Sequence, residues 1–276
     1  MTDVDLVVTD RPIERVARLV LNRPQKRNAQ NTRLLLALDE AFRAAALDDG
    51  ISVIVLAAAG PDFSSGHDLS ETEQGAAIES HQSRLWSRGG GAPAERIMAH
   101  EREIYLGLSE RWRNLPKPTI AAVQGRCISG GLMLAWPCDL IVASDDALFI
   151  DNTVRMGVPG VEYFVHPFEV GTRKAKEMLF TGDPITAAEA LRLGMVNRVV
   201  PADQLEADVL ELAAKIALRP LFALRLAKEA VNGADDAAGR VASMERAFGL
   251  HQLAHSHNLA VHGQVIDPTG VHPRVR

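Results

Sequence analysis

The sequence predicts an α/β fold with a helical C-terminal region. Three observations carry that prediction. β-Branched apolar runs at 16–21 and 51–58 flank an amphipathic stretch, a third run follows at 118–125, and helical periodicity dominates from 172 onward. Strand, helix and strand in succession point to mixed α/β layers. VARLVL at 16–21 is closed by Asn22, Arg23 and Pro24, so it reads as a buried strand ending in a turn. Thr32 is the expected N-cap of the next helix, because Leu34 or Leu35, Leu38 and Phe42 recur at three- to four-residue spacing. Asp48, Asp49 and Gly50 end it. ISVIVLAA at 51–58 is short and continuously apolar, which predicts a strand covered on both faces.

From Leu69 to about Pro93 no apolar period survives more than one turn and Gly89, Gly90 and Gly91 adjoin, so a mobile loop is expected. Ile97, Ile104, Leu108 and Trp112 predict a helix over 94–114, stopped by Pro116 and Pro118. The strand PTIAAVQG follows, and 139–150 reads as two short strands around a turn at Ser144, Asp145 and Asp146. Helices are then expected at 172–181, ending on Gly182, and at 186–193, ending on Gly194. Leu205, Val209, Leu212 and Ile216 mark a further amphipathic helix, and a last one spans about 242–260. We divide the chain into a core domain, 1–200, and a helical region with an irregular tail, 201–276.

Composition narrows the function. Of 276 residues 47% are apolar, enough to bury a core, which excludes a disordered chain. Thirty Lys and Arg against 35 Asp and Glu leave a net charge of -5, which argues against nucleic acid as a partner. No run reaches the roughly 18 consecutive apolar residues of a membrane span, and MTDVDLVVTDRPIE lacks the features of a secretory signal, so a cytoplasmic protein without a membrane partner is expected. Cys127 and Cys138 are expected as reduced, buried thiols.

Two segments place glycine at strand ends, where a backbone approaches a ligand closely: Asp62-Phe63-Ser64-Ser65-Gly66-His67-Asp68-Leu69 and Gly125-Arg126-Cys127-Ile128-Ser129-Gly130-Gly131. In the second, a strand hands over to a helix whose first N–H groups are free for an anion. With Leu21-Asn22-Arg23-Pro24, Met156-Gly157-Val158-Pro159-Gly160, Phe180-Thr181-Gly182-Asp183 and Lys228-Glu229-Ala230-Val231 in the same order, the chain resembles the crotonase (enoyl-CoA hydratase/isomerase) superfamily over about 10–232. The resemblance implies a crotonase-like spiral of ββα units, homotrimers or dimers of trimers, and acyl-CoA thioesters as substrates, with no permanently bound cofactor. It places the thioester oxygen between the N–H groups of His67 and Gly130. Fixed donors stabilise the enolate-like charge, at about 3 to 4 kcal/mol for one donor. The His67 side chain is then either a pocket wall or a titrating group.

The family pattern breaks where hydratases carry two glutamates: Met133 and Thr153 stand there. Neither titrates near neutral pH, so two-carboxylate hydration cannot run on them. Glu162, in Pro159-Gly160-Val161-Glu162-Tyr163-Phe164-Val165-His166-Pro167, is the first substitute acid/base, followed by Asp151 and His166. Each of the three has a plain alternative as part of an ion pair or hydrogen bond. The resemblance also puts Lys26 and Arg27 near the nucleotide and Ser65, Asp68, Leu69 and Ser70 along the CoA-binding strand and loop. His251 and His255 lie four apart, but no glutamate stands beside them as in zinc proteases, so no metal is expected. The leading expectation is an enoyl-CoA hydratase/isomerase-like lyase or isomerase on a non-standard substrate. The alternatives are a CoA-ester carbon–carbon bond hydrolase and a non-catalytic acyl-CoA-binding paralogue.

Overall fold

The computed structural model describes residues 5–69 and 93–270. Six strands form the main sheet in the order β1 (Val7–Ile13), β2 (Val16–Leu21), β3 (Val53–Ala58), β4 (Thr119–Val123), β6 (Leu140–Ser144) and β9 (Arg198–Val200). β1 pairs antiparallel with β2 at one edge, and every other pairing in this sheet is parallel. A smaller sheet joins β5 (Arg126–Ile128), β7 (Leu148–Ile150) and β8 (Ile185–Thr186).

The continuous apolar runs follow from burial on two faces. Ile54 and Leu56 of β3 pack with Leu34, Leu38 and Phe42 of the helix Thr32–Leu47, whereas Val53 and Val55 pack with Leu205, Val209 and Ala213 of the helix Leu205–Ala217. Alternate residues of a strand point to opposite faces, so a covered sheet leaves no polar position in the run. The strands at 16–21, 51–58 and 118–125 and the turn at 144–146 are where the sequence puts them, to within two residues at each end. The N-cap is a correction: Asn31 accepts from the Leu34 N–H at 2.9 Å, and Thr32 is the first helical residue. β1, which the sequence reading omits, pairs through only one edge and its residues are mostly exposed.

The stretch 93–113 is one helical rod in three pieces, α at Pro93–His100, π at Glu101–Leu106 and α again at Gly107–Arg113. The widened turn brings the Gly107 N–H to the Arg102 carbonyl, five residues back. Such turns interrupt a helix at a cost and recur at functional sites. The helices Leu221–Ala237 and Arg240–His262 complete the C-terminal region. The expected loop at 69–93 lies almost wholly outside the described residues.

Candidate active site

The two glycine segments meet. Their contact is built by backbone bridges, Gln30 with His67 and Ser64 with Cys127. In the first, the Gln30 N–H donates to the Gly66 carbonyl at 2.8 Å and the Asp68 N–H to the Gln30 carbonyl at 2.9 Å. The pattern alternates along a strand, so the intervening His67 N–H faces the other side. In the second, the Ile128 N–H donates to the Ser64 carbonyl at 2.9 Å. The Ser64 hydroxyl, fully buried, receives the Gln30 amide at 3.0 Å and the Gly66 N–H at 3.2 Å and donates to the Asn28 carbonyl at 2.9 Å.

Glycine is required at this junction. A Cβ on Gly66, where φ is +89°, would lie 2.8 Å from the Ile128 carbonyl and 3.3 Å from the Gly130 nitrogen. A Cβ on Gly131 would meet the Ser64 carbonyl at 2.9 Å. Ser129, immediately before Gly130, holds a left-handed φ of 44° although it is not glycine. Its hydroxyl donates to Asn152 at 3.0 Å. Strain of this kind costs about 1 to 3 kcal/mol and clusters at functional sites. Behind Gly130 stands a single 3-10 turn and the four-residue helix Leu132–Ala135, shorter than the sequence implies. Any stabilisation of an anion here rests on individual N–H groups rather than on a long helix dipole.

A cavity of about 440 Å³ opens beside this junction. His67, Glu162, Glu101, Tyr105, His251 and His255 give it its polar lining, with Ser129 and Thr153 beside them, and Ile97, Val158, Val161 and Ile266 its apolar one. Glu162 is 4% exposed, with Oε2 3.4 Å from His67 Nε2 and Oε1 3.7 Å from His251 Nε2. Burial works to raise its pKa, and the two imidazoles reverse this and hold the carboxyl below the usual carboxylate range. The His67 ring stacks on Tyr105 with centroids 3.9 Å apart. Burial, then the Glu162 and Glu101 charges, push the Tyr105 phenol far up, so it remains protonated.

Further along the wall, His251 Nδ1 bonds the Gly160 carbonyl at 2.8 Å and His255 Nδ1 the Val265 carbonyl at 2.6 Å. A carbonyl only accepts, so both Nδ1 atoms carry the proton. The two Nε2 atoms turn toward Glu101, at 3.9 Å for His251 and 2.9 Å for His255. The shorter contact is an ion pair without good hydrogen-bond alignment. Burial lowers the His255 pKa, but Glu101 more than offsets this and raises it to about 9.

The structure separates the residues singled out in the sequence. His67, Gly130 and Glu162 come together at the cavity. Asp151 and His166 do not line it, which corrects their place as reserve acid/base groups: both are fully buried and bond each other at 2.8 Å. Asp151 also accepts from the Thr153 hydroxyl at 2.6 Å and the Val161 N–H at 3.2 Å, thereby fastening the segment that carries Glu162. Burial opposes ionisation of Asp151, yet the His166 and Thr153 bonds hold its pKa down. Met133 is 2% exposed within the core, and the Thr153 hydroxyl is engaged by Asp151, so neither offers an acid to the cavity.

Among the expected CoA contacts, Asp68 turns inward: Arg23 donates to its Oδ2 through both Nη atoms at 3.2 Å, with the two side chains 8% and 9% exposed. Ser65 and Leu69 line the cavity, and Ser70 lies outside the described residues. Lys26 and Arg27 are exposed in the turn beside Ser65. Arg126 and Arg27 both reach Asp62, at 3.0 and 3.7 Å, making this corner cationic. Glu101 and Tyr105 are cavity residues that the sequence reading does not single out, although a glutamate on the same helical face as Ile97, Ile104 and Leu108 is a legible anomaly.

This fold is that of the enoyl-CoA hydratase/isomerase class. The chain belongs to the enoyl-CoA hydratase/isomerase family, whose model matches residues 13–259. It is similar to EchA13 of Mycobacterium tuberculosis, provisionally named an enoyl-CoA hydratase, at 46% identity over 248 residues, which are 88% of this chain and 78% of that protein. A Mycobacterium smegmatis structure with a provisional enoyl-CoA hydratase name superposes with a TM-score of 0.86 at 49% identity, covering 95% of this chain and 99% of that one. An enoyl-CoA hydratase/isomerase from Xanthobacter autotrophicus Py2 matches at a TM-score of 0.80 and 30% identity, over 96% of this chain and 90% of that one. The crotonase fold is thereby established.

Proposed function

We propose that the protein binds an acyl-CoA thioester, holds its carbonyl oxygen on the His67 and Gly130 N–H groups, and uses Glu162 to move a proton at the adjacent carbons. One observation carries this reading: a Cβ on Gly66 would lie only 3.3 Å from the Gly130 nitrogen, so glycine there lets the two segments lie side by side, next to a cavity that also presents Glu162. Glu162 takes the proton from the carbon next to the thioester, the C–H electron pair moves to the carbonyl oxygen, and the two N–H groups receive the developing charge. His67 steers the carboxylate through its 3.4 Å contact. With Met133 and Thr153 at the usual glutamate positions, isomerisation or chemistry on an unusual acyl group is favoured over hydration of simple enoyl-CoA.

The exposed cations Lys26, Arg27 and Arg126 suit the phosphates of CoA, whose charge they would meet in solvent. No permanently bound cofactor enters this scheme. The two free, buried thiols support action in a reducing compartment such as the cytoplasm, and among the described residues no helix is long and apolar enough to cross a membrane. Glu162→Gln tests the assignment. Hydrogen–deuterium exchange at the α-carbon of butyryl-CoA should fall about 100-fold or more, in the range of one positioned proton-transfer group, while butyryl-CoA affinity stays within about threefold. Unchanged exchange in the folded variant refutes the role of Glu162. Absence of butyryl-CoA binding and exchange in the unsubstituted protein, with hydrolysis of a β-diketone CoA ester instead, would favour the carbon–carbon hydrolase.

A further inference from the structure

Glu101 and His255 play no part in that scheme and His251 enters it only through its 3.7 Å contact with Glu162, yet the three form a cluster of their own among the described residues. Their ligand-capable atoms lie within 4.8 Å of one another, and all three residues are buried and line the cavity. Each histidine spends its Nδ1 proton on a backbone carbonyl, so Nε2 is the ring atom that each has left to face the carboxylate. A cation between the two Nε2 atoms and the carboxylate, whether a proton or a metal ion, satisfies this arrangement.

We propose that Glu101, His251 and His255 bind one divalent transition-metal ion of the zinc class at the inner wall of the cavity. Zinc bonds to histidine nitrogen and carboxylate oxygen are about 2.0 to 2.2 Å, so neighbouring donors of a tetrahedral site lie roughly 3.3 to 3.5 Å apart. The observed separations from Glu101, 2.9 Å to His255 and 3.9 Å to His251, straddle that edge, and bringing these two to it needs side-chain shifts of about half an ångström. Two imidazoles and one carboxylate suit zinc and its neighbours better than calcium or magnesium, which take oxygen.

The supporting contacts are those of a ligand set. Metal-bound histidines donate the other ring N–H to a carbonyl or carboxylate, as both do here. The Gln252 amide donates to Glu101 Oε2 at 2.6 Å, which orients the carboxylate. Three protein ligands leave a fourth position facing the cavity, for water or an oxygen of the acyl group. The ligands come from two distant helices. His251 and His255 are one turn apart on Arg240–His262, and Glu101 opens the π turn in the rod 93–113.

Its ligands are all side chains of the protein, so its test needs no acyl-CoA. Tag-free protein is stripped with a chelator and titrated with Zn²⁺ by calorimetry, then with Co²⁺ by visible absorption. One equivalent of Zn²⁺ per chain and the intense visible bands of low-coordinate Co²⁺ are expected. Glu101→Gln and His255→Gln should each weaken Zn²⁺ by more than about 100-fold and Gln252→Ala by about 10- to 100-fold, the range for an outer-shell partner. His257→Gln, exposed on the same helix, should leave affinity unchanged. No stoichiometric Zn²⁺ binding by the unsubstituted protein overturns the proposal without any variant, and so does equal affinity in folded His255→Gln. The cluster is then a carboxylate–imidazolium pair and nothing more.

Discussion

Gly130→Ala tests the backbone donors. The new Cβ would stand 3.0 Å from Cε1 and Nδ1 of His67 and 3.1 Å from Gln30 Oε1. Ordinary contacts begin a few tenths of an ångström further out, so either the imidazole or the Ser129–Gly131 turn must move. The ring has little room, being stacked 3.9 Å from Tyr105. Gly130 does not have a positive φ, so the backbone accepts alanine and the fold should survive with a loss of about 1 to 3 kcal/mol from overpacking. An oxyanion donor displaced by such a shift forfeits most of its worth, about 3 to 4 kcal/mol or 10²- to 10³-fold. The assay uses acetoacetyl-CoA, whose enolate absorbs in the near ultraviolet: the unsubstituted protein should raise the enolate fraction, and Gly130→Ala should reduce that stabilisation by the stated factor. Coenzyme A itself, which lacks the carbonyl, should bind both proteins within about threefold. A folded Gly130→Ala protein that stabilises the enolate as well as the parent would refute the placement of the oxyanion. Gly66→Ala is the poorer probe, because its φ of +89° and the 2.8 Å approach to the Ile128 carbonyl threaten the fold as well.

Asp68→Ala should cost about 3 to 5 kcal/mol, read as a lowered urea midpoint, because it leaves the Arg23 charge buried without its carboxylate. A midpoint equal to the parent's would show that the remaining Arg23 contacts suffice. The helix Leu221–Ala237 buries no residue fully and exposes Phe222 at 71% and Val231 at 66%, which supports the proposed assembly into trimers or pairs of trimers. Sedimentation should therefore find an oligomer that Phe222→Asp dissociates, and a monomeric parent would remove that proposal.

Most of the main sheet was legible because strands covered on two faces leave continuous apolar runs, as at 51–58 and 118–125. The antiparallel edge strand β1 was not, since VVTDRPI carries polar residues on both faces and is exposed on most of its length. The N-cap slipped by one residue because Asn31 and Thr32 are both good caps, and only the chain entry angle decides which side chain meets the Leu34 N–H. At the site, the glycines announced the close backbone approach. The buried Asp151–His166 pair carries titratable side chains indistinguishable in sequence from cavity residues, and only packing shows that it faces inward.

The positions that kept the family pattern and those that lost it differ in what holds them. A junction held by two backbone bridges, a left-handed Ser129 and glycines where a Cβ would come within 2.8 to 2.9 Å of a carbonyl cannot be rebuilt elsewhere without rebuilding the sheet. An acid, by contrast, needs only a side chain that reaches the cavity, and Glu162 and Glu101 reach it from segments far apart in the chain. Met133 has sunk into the apolar core and Thr153 has become a hydrogen-bond partner of Asp151, so restoring either glutamate would place a carboxylate without a prepared partner. In the proposed reading the backbone junction supplies the anion stabilisation, and the proton chemistry falls to Glu162 with His67 beside it.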